Sequence, residues 1–297
     1  MLPRTASRLP SWSFSGAGFL VAYHLGAAQC LVDQKVSLQR VTGVSAGALA
    51  ATALVTETVS DGMDVTLQVA ARARAAGLGD ALQPGFSLIG AVEQMLEPVV
   101  RSAIETDPGV LDRLRKRTLR IGLAKLSPVR EYCYVEEFQS AEEVVASCLL
   151  SSYVPGVTAR LVNDPAAQSA RQTLQSMANR LQTRDGDVVQ LRPNDFVGDG
   201  GLCEVFPYFD DETIIVTPLH ASFTRHKSIR PTFVESSPIR WSDHAYLHWH
   251  PNNLKNLWRI LRSSEDLEDR FAEGYDDTMA FLTNHSLQQV YNSTQAS

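Results

Sequence analysis

Short apolar runs and longer apolar segments alternate near the start of the chain. Residues 12–15 and 40–44 have the length and the aromatic or β-branched content of buried strands. Residues 19–34 are apolar nearly all round, which predicts a buried helix, and we expect a second helix at residues 46–59. Because the connections between these elements are short, the pattern predicts a β–α–β–α unit with parallel strands and a right-handed crossover.

The later pattern extends this unit into a larger α/β domain. Its further predicted elements are helices within 61–117 with a break at 79–85, strands at 118–126 and 130–138, a helix from Ser140, a strand at 212–219 and a helix over 252–282. Residues 158–192 are polar and lack sheet periodicity, so we expect a partly helical insertion there, and we expect residues 220–251 to be irregular. We expect one domain at 12–282, a short extension at 1–11 and a tail at 283–297. We expect a three-layer fold with a central, mostly parallel sheet and helices on both faces.

The composition narrows the class of protein. The chain has 297 residues, 44% of them hydrophobic, and its formal net charge of −6 argues against nucleic-acid binding. The four cysteines show no Cys-x-x-Cys spacing, so we expect reduced thiols rather than a disulfide frame or a zinc site. The longest apolar stretch, 17–32, is shorter than the about 20 residues of a membrane span. We therefore expect a cytoplasmic protein with no secretory signal or transmembrane helix.

Ser45 stands in the sequence Gly-Val-Ser-Ala-Gly, between a predicted strand and a predicted helix. A nucleophile elbow needs this context, because the strained turn exposes the hydroxyl and the helix N-terminus stabilises nearby negative charge. Gly43 and Gly47 would leave room for close packing at such a turn. The alternative is a strand-to-helix turn in which Ser45 is only the N-cap residue.

A glycine-rich loop, Gly16-Ala17-Gly18, follows the first predicted strand. Successive backbone N–H groups in such a loop can bind a phosphate or stabilise an oxyanion. The phosphate alternatives fit poorly, because there is no Gly-Lys-Ser/Thr and no third glycine of the dinucleotide fingerprint. Parallel strands end on the same edge of a sheet, so we expect this loop to face Ser45. A plain tight turn is the alternative.

Asp199 begins an Asp-Gly-Gly sequence after another predicted strand. On local evidence alone this sequence is typical of a turn. Asp199 becomes a candidate functional residue because the same chain also offers a candidate nucleophile and a candidate oxyanion loop, and a carboxylate at a strand end could act with them.

Together these motifs resemble the patatin-like phospholipase family, and the fit is closest to its animal-type branch, the branch of adipose triglyceride lipase and adiponutrin. Six segments occur in that family's order over about residues 12–282, apart from 158–192: WSFSGAGFLVAYHLGAAQCL, VTGVSAGALAATALV, PGFSLIGAVEQML, FVGDGGLCEVFP, TIIVTPL and NLKNLWRIL. The resemblance implies a serine lipid acyl hydrolase that cleaves fatty-acyl esters of glycerolipids, triacylglycerol first and phospholipid second. Lipid transacylation and a catalytically weak lipid-binding or lipid-droplet regulatory protein are the alternatives.

The resemblance also implies roles for particular residues. Ser45 would be the nucleophile and Asp199 the base of a dyad, and Gly16, Ala17 and Gly18 would line the oxyanion hole. Supporting positions in the motifs are Gly43, Gly47, Gly200 and Gly201. The enzyme would act at a membrane or lipid-droplet surface without metal or cofactor, while a protein co-activator and the oligomeric state stay open. Val205 stands where the family commonly has an asparagine, so this chain departs from the family's pattern close to Asp199.

Histidines supply the main rival mechanism. His220 follows Ser45 and Asp199 in the chain order of a Ser-Asp-His hydrolase. His244, His248 and His250 resemble metal-ligand spacing, but we favour surface or aromatic packing for them, and we favour a core position for His24.

Two segments could contact a lipid surface. The basic stretch at 113–120 could meet anionic headgroups, although a solvated helix end is favoured. An apolar stripe at 254–261 is more typical of a core-facing helix than of a membrane-surface helix.

Overall fold

The computed structural model of this chain describes residues 9–75, 86–127, 129–161, 163–192, 195–232, 237–248 and 263–285. The predicted break at 79–85, His250 and the apolar stripe at 254–261 lie outside the described residues, so those expectations stay predictions.

The described chain contains helices of about two to six turns and mostly short strands. The helices are α1 (Val21–Asp33), α2 (Ala46–Val55), α3 (Val59–Ala75), α4 (Leu88–Thr106), α5 (Pro108–Arg115), α6 (Ala141–Ser151), α7 (Pro165–Ser176) and α8 (Ser264–Asn284). The strands are β1 (Trp12–Phe14), β2 (Val41–Val44), β3 (Leu119–Lys125), β4 (Glu131–Val135), β5 (Leu181–Thr183), β6 (Val197–Asp199), β7 (Ile214–Val216), β8 (Ala221–Phe223), β9 (Ser228–Ile229), β10 (Pro238–Arg240) and β11 (Ala245–His248).

The central sheet has the strand order β5-β4-β3-β2-β1-β7-β9, and β6 also pairs with β3. Five strands, from β3 through β9 in that order, run parallel, whereas β4 and β6 are antiparallel to β3. Helix α2 packs against β1, β2 and β3, and α6 packs against β3 and β6. This arrangement confirms the predicted α/β class with a mostly parallel central sheet.

The predicted β–α–β–α unit is present as β1, α1, β2 and α2. Strand β1 pairs in parallel with β2, with Trp12 opposite Val41 and Phe14 opposite Gly43. Both strands are completely buried, and α1 is buried along most of its length between α2 and α8. Continuous burial explains why these elements lack an alternating pattern in the sequence.

The register along β3 brings two distant parts of the chain together. Val44, at the carboxyl end of β2, pairs with Gly122, and Asp199, at the end of β6, pairs with the next residue, Leu123. Strand β4 pairs with the same part of β3 and occupies one of its two edges. Strands β2 and β6 therefore both lie along the opposite edge of β3, and their carboxyl ends face each other. Ser45 therefore meets Asp199 although the two residues are far apart in sequence.

Residues 220–251 were expected to be irregular, and this prediction is wrong for the part that the structure describes. Strands β10, β11 and β8 form a separate antiparallel sheet, and β9 joins the central sheet. Each of these strands is only two to four residues long, too short to produce a recognisable period.

Residues 158–192 contribute regular elements. Helix α7 packs against α6 through its buried face, and β5 extends the central sheet by pairing with β4. The expected helix is present, whereas β5 was not predicted. The status of this segment as an insertion stays a prediction.

Within the described residues, no helix is both long enough and apolar enough to cross a membrane.

Candidate active site

Ser45 lies at the junction between β2 and α2 with a left-handed backbone, φ 54° and ψ −129°. This conformation is costly for a residue with a side chain and persists only where its surroundings enforce it. Glycine is required on both sides, because a Cβ on Gly43 would lie 2.2 Å from the Gly47 carbonyl oxygen, and one on Gly47 would lie 2.2 Å from the Phe14 oxygen. The predicted strand–serine–helix elbow is therefore present.

Ser151, at the end of α6, holds the backbone of this turn. The N–H of Ser45 donates to Ser151 Oγ at 2.8 Å, and the Ser151 hydroxyl donates to the Gly122 carbonyl oxygen at 2.6 Å. Ser151 is completely buried, so both bonds form away from water. Its hydroxyl thus ties the strained turn to β3, and sequence analysis gave no signal for it.

Asp199 accepts two hydrogen bonds at the end of β6. The Ser45 hydroxyl donates to Oδ2 at 2.7 Å, and the backbone N–H of Gly201 donates to Oδ1 at 2.7 Å. Burial raises the pKa of Asp199 from 3.8 to about 6, although both hydrogen bonds act in the opposite direction. The carboxylate is therefore more basic than usual and is already aligned with the hydroxyl proton.

The glycine-rich loop follows β1 and lies against the same turn. The Gly16 N–H donates to the Val205 carbonyl oxygen at 2.8 Å, so this N–H is not available to an oxyanion. In the described part of the chain, no acceptor binds the N–H of Ala17 or of Gly18. Gly18 has φ 54°, which turns the loop at this point. The available donors are therefore Ala17 and Gly18, while Gly16 anchors the loop.

Val205 contacts the glycine-rich loop through its backbone, and it also lines the cavity. It stands where the resemblance leads one to expect an asparagine, yet the Asp199 carboxylate accepts its hydrogen bonds from Ser45 and Gly201. The Val205 carbonyl fixes Gly16 instead, and because the acceptor is a backbone oxygen this contact does not depend on the side chain at position 205.

His24, in α1, contacts the backbone just before the glycine-rich loop. It is completely buried in α1, as expected, and burial lowers its pKa to about 3. Its Nε2 lies 2.9 Å from the Ser15 carbonyl oxygen, and since a carbonyl only accepts, Nε2 carries the proton. The neutral ring therefore fixes the residue that precedes Gly16.

A cavity of about 630 Å³ adjoins these groups. Its wall includes Ser45, Asp199 and the Gly16–Gly18 loop, and it continues between α2, α3 and α4 along Leu49, Ala53 and Val92. Most of the lining is aliphatic, and none of the described lining residues is lysine or arginine. The cavity suits a long apolar chain whose reactive end reaches Ser45.

The histidines of the rival mechanism lie elsewhere or have other partners. His220 does not line this cavity, whereas His248 does, and His248 Nε2 lies 2.8 Å from Ser222 Oγ. His244 is buried among aromatic rings and its Nε2 lies 3.1 Å from the Phe206 carbonyl oxygen, which agrees with the expected aromatic packing. His248 was not singled out by the sequence as a cavity residue.

The basic stretch at 113–120 is largely paired within the protein. Arg113, Lys116, Arg117 and Arg120 all form ion pairs with acidic side chains. The stretch runs from the end of α5 into β3, so it is a helix end only in part.

The fold and the site define an α/β protein in which an elbow serine is hydrogen-bonded to a buried carboxylate. The family described as Patatin-like phospholipase matches residues 13–210, which is more than half of the chain. The chain therefore belongs to the patatin-like phospholipase family.

Three relatives illustrate its place in that family. Patatin-like phospholipase domain-containing protein 4 of Homo sapiens is 30% identical over 290 residues, covering 91% of this chain and 95% of the relative. Patatin-like phospholipase domain-containing protein 2 of Rattus norvegicus is 26% identical, covering 93% of this chain and 51% of the relative. 1-acylglycerol-3-phosphate O-acyltransferase PNPLA3 of Homo sapiens is 26% identical, covering 76% of this chain and 41% of the relative. These relatives confirm the animal-type branch, and the chain spans about half the length of protein 2.

Proposed function

We propose that this chain is a serine acyl hydrolase that cleaves fatty-acyl esters of glycerolipids through an acyl-enzyme. The observation that carries the proposal is the 2.7 Å hydrogen bond from Ser45 Oγ to Asp199 Oδ2 on the wall of an apolar cavity. Ser45 is the nucleophile and Asp199 the base. Triacylglycerol is the first candidate substrate, and phospholipid is the second.

In the acylation step, Ser45 Oγ attacks the ester carbonyl carbon while its proton passes to Asp199 Oδ2. The carbonyl oxygen becomes an oxyanion, and the N–H groups of Ala17 and Gly18 stabilise it. One such donor is worth about 3 kcal/mol of barrier. The tetrahedral intermediate collapses, the C–O bond to the glycerol breaks, and the proton on Asp199 passes to the leaving alkoxide.

In the deacylation step, a water molecule takes the place of the departed alcohol. Asp199 accepts a proton from this water as the water attacks the acyl carbon, and the proton then passes to Ser45 Oγ as the acyl bond breaks. The free fatty acid leaves and the serine hydroxyl is restored. Asp199 therefore acts twice, as base and as acid, in each half of the cycle.

The burial of Asp199 makes it a better base than an exposed carboxylate. A carboxylate with a pKa of 3.8 holds a serine proton poorly, whereas burial raises the pKa of Asp199 to about 6. General bases contribute most when their pKa lies near the working pH. The apolar wall of the cavity thus supports proton transfer to Asp199 without a histidine.

The charge of the cavity favours a neutral lipid over a phospholipid. A phosphate headgroup is usually recognised by arginine or lysine. The described lining residues include neither, and their polar members are mainly serine and threonine besides Asp199 and His248. This supports triacylglycerol as the first substrate to test.

Transacylation is the second candidate. The relative named 1-acylglycerol-3-phosphate O-acyltransferase favours it, because transfer to a lipid hydroxyl uses the same acyl-enzyme with an alcohol in place of water. Adding monoacylglycerol or 1-acylglycerol-3-phosphate to the assay separates the two, since a transferase then forms a new ester instead of releasing more fatty acid.

The test is fatty-acid release from emulsions of trioleoylglycerol and of phosphatidylcholine. Variants Ser45→Ala and Asp199→Asn remove the proposed dyad, and His220→Ala and His248→Gln remove the rival bases. Exposed positions provide matched controls, Ser176→Ala and Asp64→Asn.

We expect release to fall at least about a hundredfold in both dyad variants. Loss in His248→Gln or His220→Ala with folding intact would favour a triad and contradict the mechanism. A folded wild type that releases nothing, with or without an acceptor, would favour a lipid-binding protein.

A further inference from the structure

Three exposed apolar side chains converge on the opening of the catalytic cavity. Leu202 follows the Asp-Gly-Gly turn, and Ile239 and Trp241 lie at β10, at the edge of the separate sheet. They are 39%, 56% and 50% exposed, yet all three also line the cavity that holds Ser45. We call these three residues the rim patch.

The rim patch is continuous with the apolar interior of the cavity. Its side chains expose one face to solvent and contribute another to the wall that leads to Ser45. Large apolar side chains exposed together usually mark an interaction site, whereas single ones need no explanation. An acyl chain that enters here passes from the rim to the cavity without crossing water.

The surroundings of the rim patch favour an uncharged surface. Arg240 lies between Ile239 and Trp241 in sequence and is highly exposed, but it pairs with Asp243 at 3.2 Å. No lysine or arginine is among the described residues of the adjoining cavity wall. Tryptophan is enriched where proteins meet the boundary between lipid and water.

The basic stretch at 113–120 is poorly placed to share this contact. Leu119 pairs with Val41, the first residue of β2, so the stretch adjoins the amino ends of the parallel strands. Ser45 and the cavity lie beyond the carboxyl end of β2. The ion pairs of the stretch also leave little free positive charge.

We propose that the rim patch docks this protein on a neutral lipid surface and places the cavity opening against it. The inference rests on the proposed function, because only a lipid-ester substrate requires delivery from such a surface. The contact is apolar, and the lipid surface covers Ile239 and Trp241 when the protein is bound.

The experiment measures flotation of the full chain with trioleoylglycerol droplets coated with phosphatidylcholine. The double variant Ile239→Ser/Trp241→Ser removes most of the rim patch while leaving Leu202, beside Asp199, untouched. A second variant, Ile239→Val/Trp241→Leu, keeps the apolar character. Val32→Ser is the matched control, because Val32 is 39% exposed, does not line the cavity, and lies seven residues along α1 from the cavity residue Leu25, about 10 Å away.

We expect the serine double variant to lower droplet binding at least about tenfold, and the apolar variant and Val32→Ser to bind within about twofold of wild type. Binding should persist between about 0.1 M and 1 M salt, since the contact is apolar. Equal binding by a folded serine double variant would overturn the proposal. Two other results would also overturn the proposal. One is droplet binding that requires phosphatidylserine in the coat and disappears at high salt, and the other is a wild-type protein that binds another protein but not the droplets.

Hydrolysis of a dissolved short-chain ester separates this proposal from the proposed function. If wild type cleaves the dissolved ester but does not bind droplets, the docking inference fails and the function stands. If the rim patch controls droplet binding but Ser45→Ala lowers the hydrolysis of neither the droplet ester nor the dissolved ester, the proposed function is wrong and the docking surface stands. The ratio of droplet activity to dissolved-ester activity should fall at least about tenfold in the serine double variant.

Discussion

Asp199→Asn removes one buried negative charge while keeping the shape of the side chain. Asp199 is 9% exposed, and its oxygens accept hydrogen bonds from Ser45 and Gly201. Asparagine can keep both contacts, since its Oδ1 can accept from the Gly201 N–H and its Nδ2 can donate to Ser45 Oγ. The substitution therefore isolates the cost of burying the carboxylate.

The size of that cost follows from the pKa. Burial raises the pKa of Asp199 from 3.8 to about 6, so the folded protein binds more protons than the unfolded chain between these two pH values. The free energy of unfolding therefore falls as pH rises through this window. A difference of about two in pKa corresponds to a loss of about 3 kcal/mol in the free energy of unfolding. The full loss applies above about pH 6, where Asp199 is ionised in the folded protein, and none of it applies below about pH 4.

We expect Asp199→Asn to be more stable than wild type by up to about 3 kcal/mol at pH 7.5 and nearly equal to it at pH 4. Urea unfolding followed by circular dichroism at several pH values measures this difference. Asp64→Asn, on the exposed face of α3, is the control and should show no such pH dependence. An Asp199→Asn protein that is less stable than wild type by the same amount at both pH values would refute the reasoning.

Three further predictions concern activity. Ser151→Ala should lower fatty-acid release by about tenfold or more at unchanged KM, because the Ser45 N–H and the Gly122 carbonyl lose their partner. Ser147→Ala, in the same helix, is the control and should leave release unchanged. Equal effects of the two substitutions would argue against a role of Ser151 at the turn. The rate of release should fall as pH drops through about 6, where Asp199 becomes protonated, and a rate that is flat between pH 5 and 8 would contradict this. Ala53→Leu, eight residues along α2 from Ser45, should shift preference toward shorter acyl esters by narrowing the cavity, as measured with a series of p-nitrophenyl esters; an unchanged chain-length profile would place the acyl chain elsewhere.

Strong local constraints made part of the site predictable. Gly43 and Gly47 flank Ser45 because backbone oxygen atoms leave no space for a Cβ, and such a requirement is visible in the sequence itself. The helix start at Ser140 was visible for a similar reason, since its hydroxyl accepts the N–H of Glu143. The parallel pairing of β1 and β2 placed the glycine-rich loop and Ser45 at the same edge of the sheet, as the sequence predicted.

Contacts between distant segments were not predictable in this way. The Gly16 N–H is occupied because the Val205 carbonyl approaches it, and nothing in either local sequence encodes that meeting. Ser151 is one of two serines in a buried helix, and only the packing of α6 against β3 distinguishes it. Strands β8 to β11 were missed because their pairing, rather than their composition, defines them.

The most direct test of the Ser45–Asp199 mechanism is detection of the acyl-enzyme itself. The protein is mixed with a p-nitrophenyl fatty-acyl ester, quenched rapidly, and examined by mass spectrometry of the intact chain and its peptides. We predict one added acyl group on the peptide that contains Ser45, none in Ser45→Ala, and formation at least about a hundredfold slower in Asp199→Asn. An acyl group on another residue, or an undiminished rate in a folded Asp199→Asn protein, would contradict the mechanism.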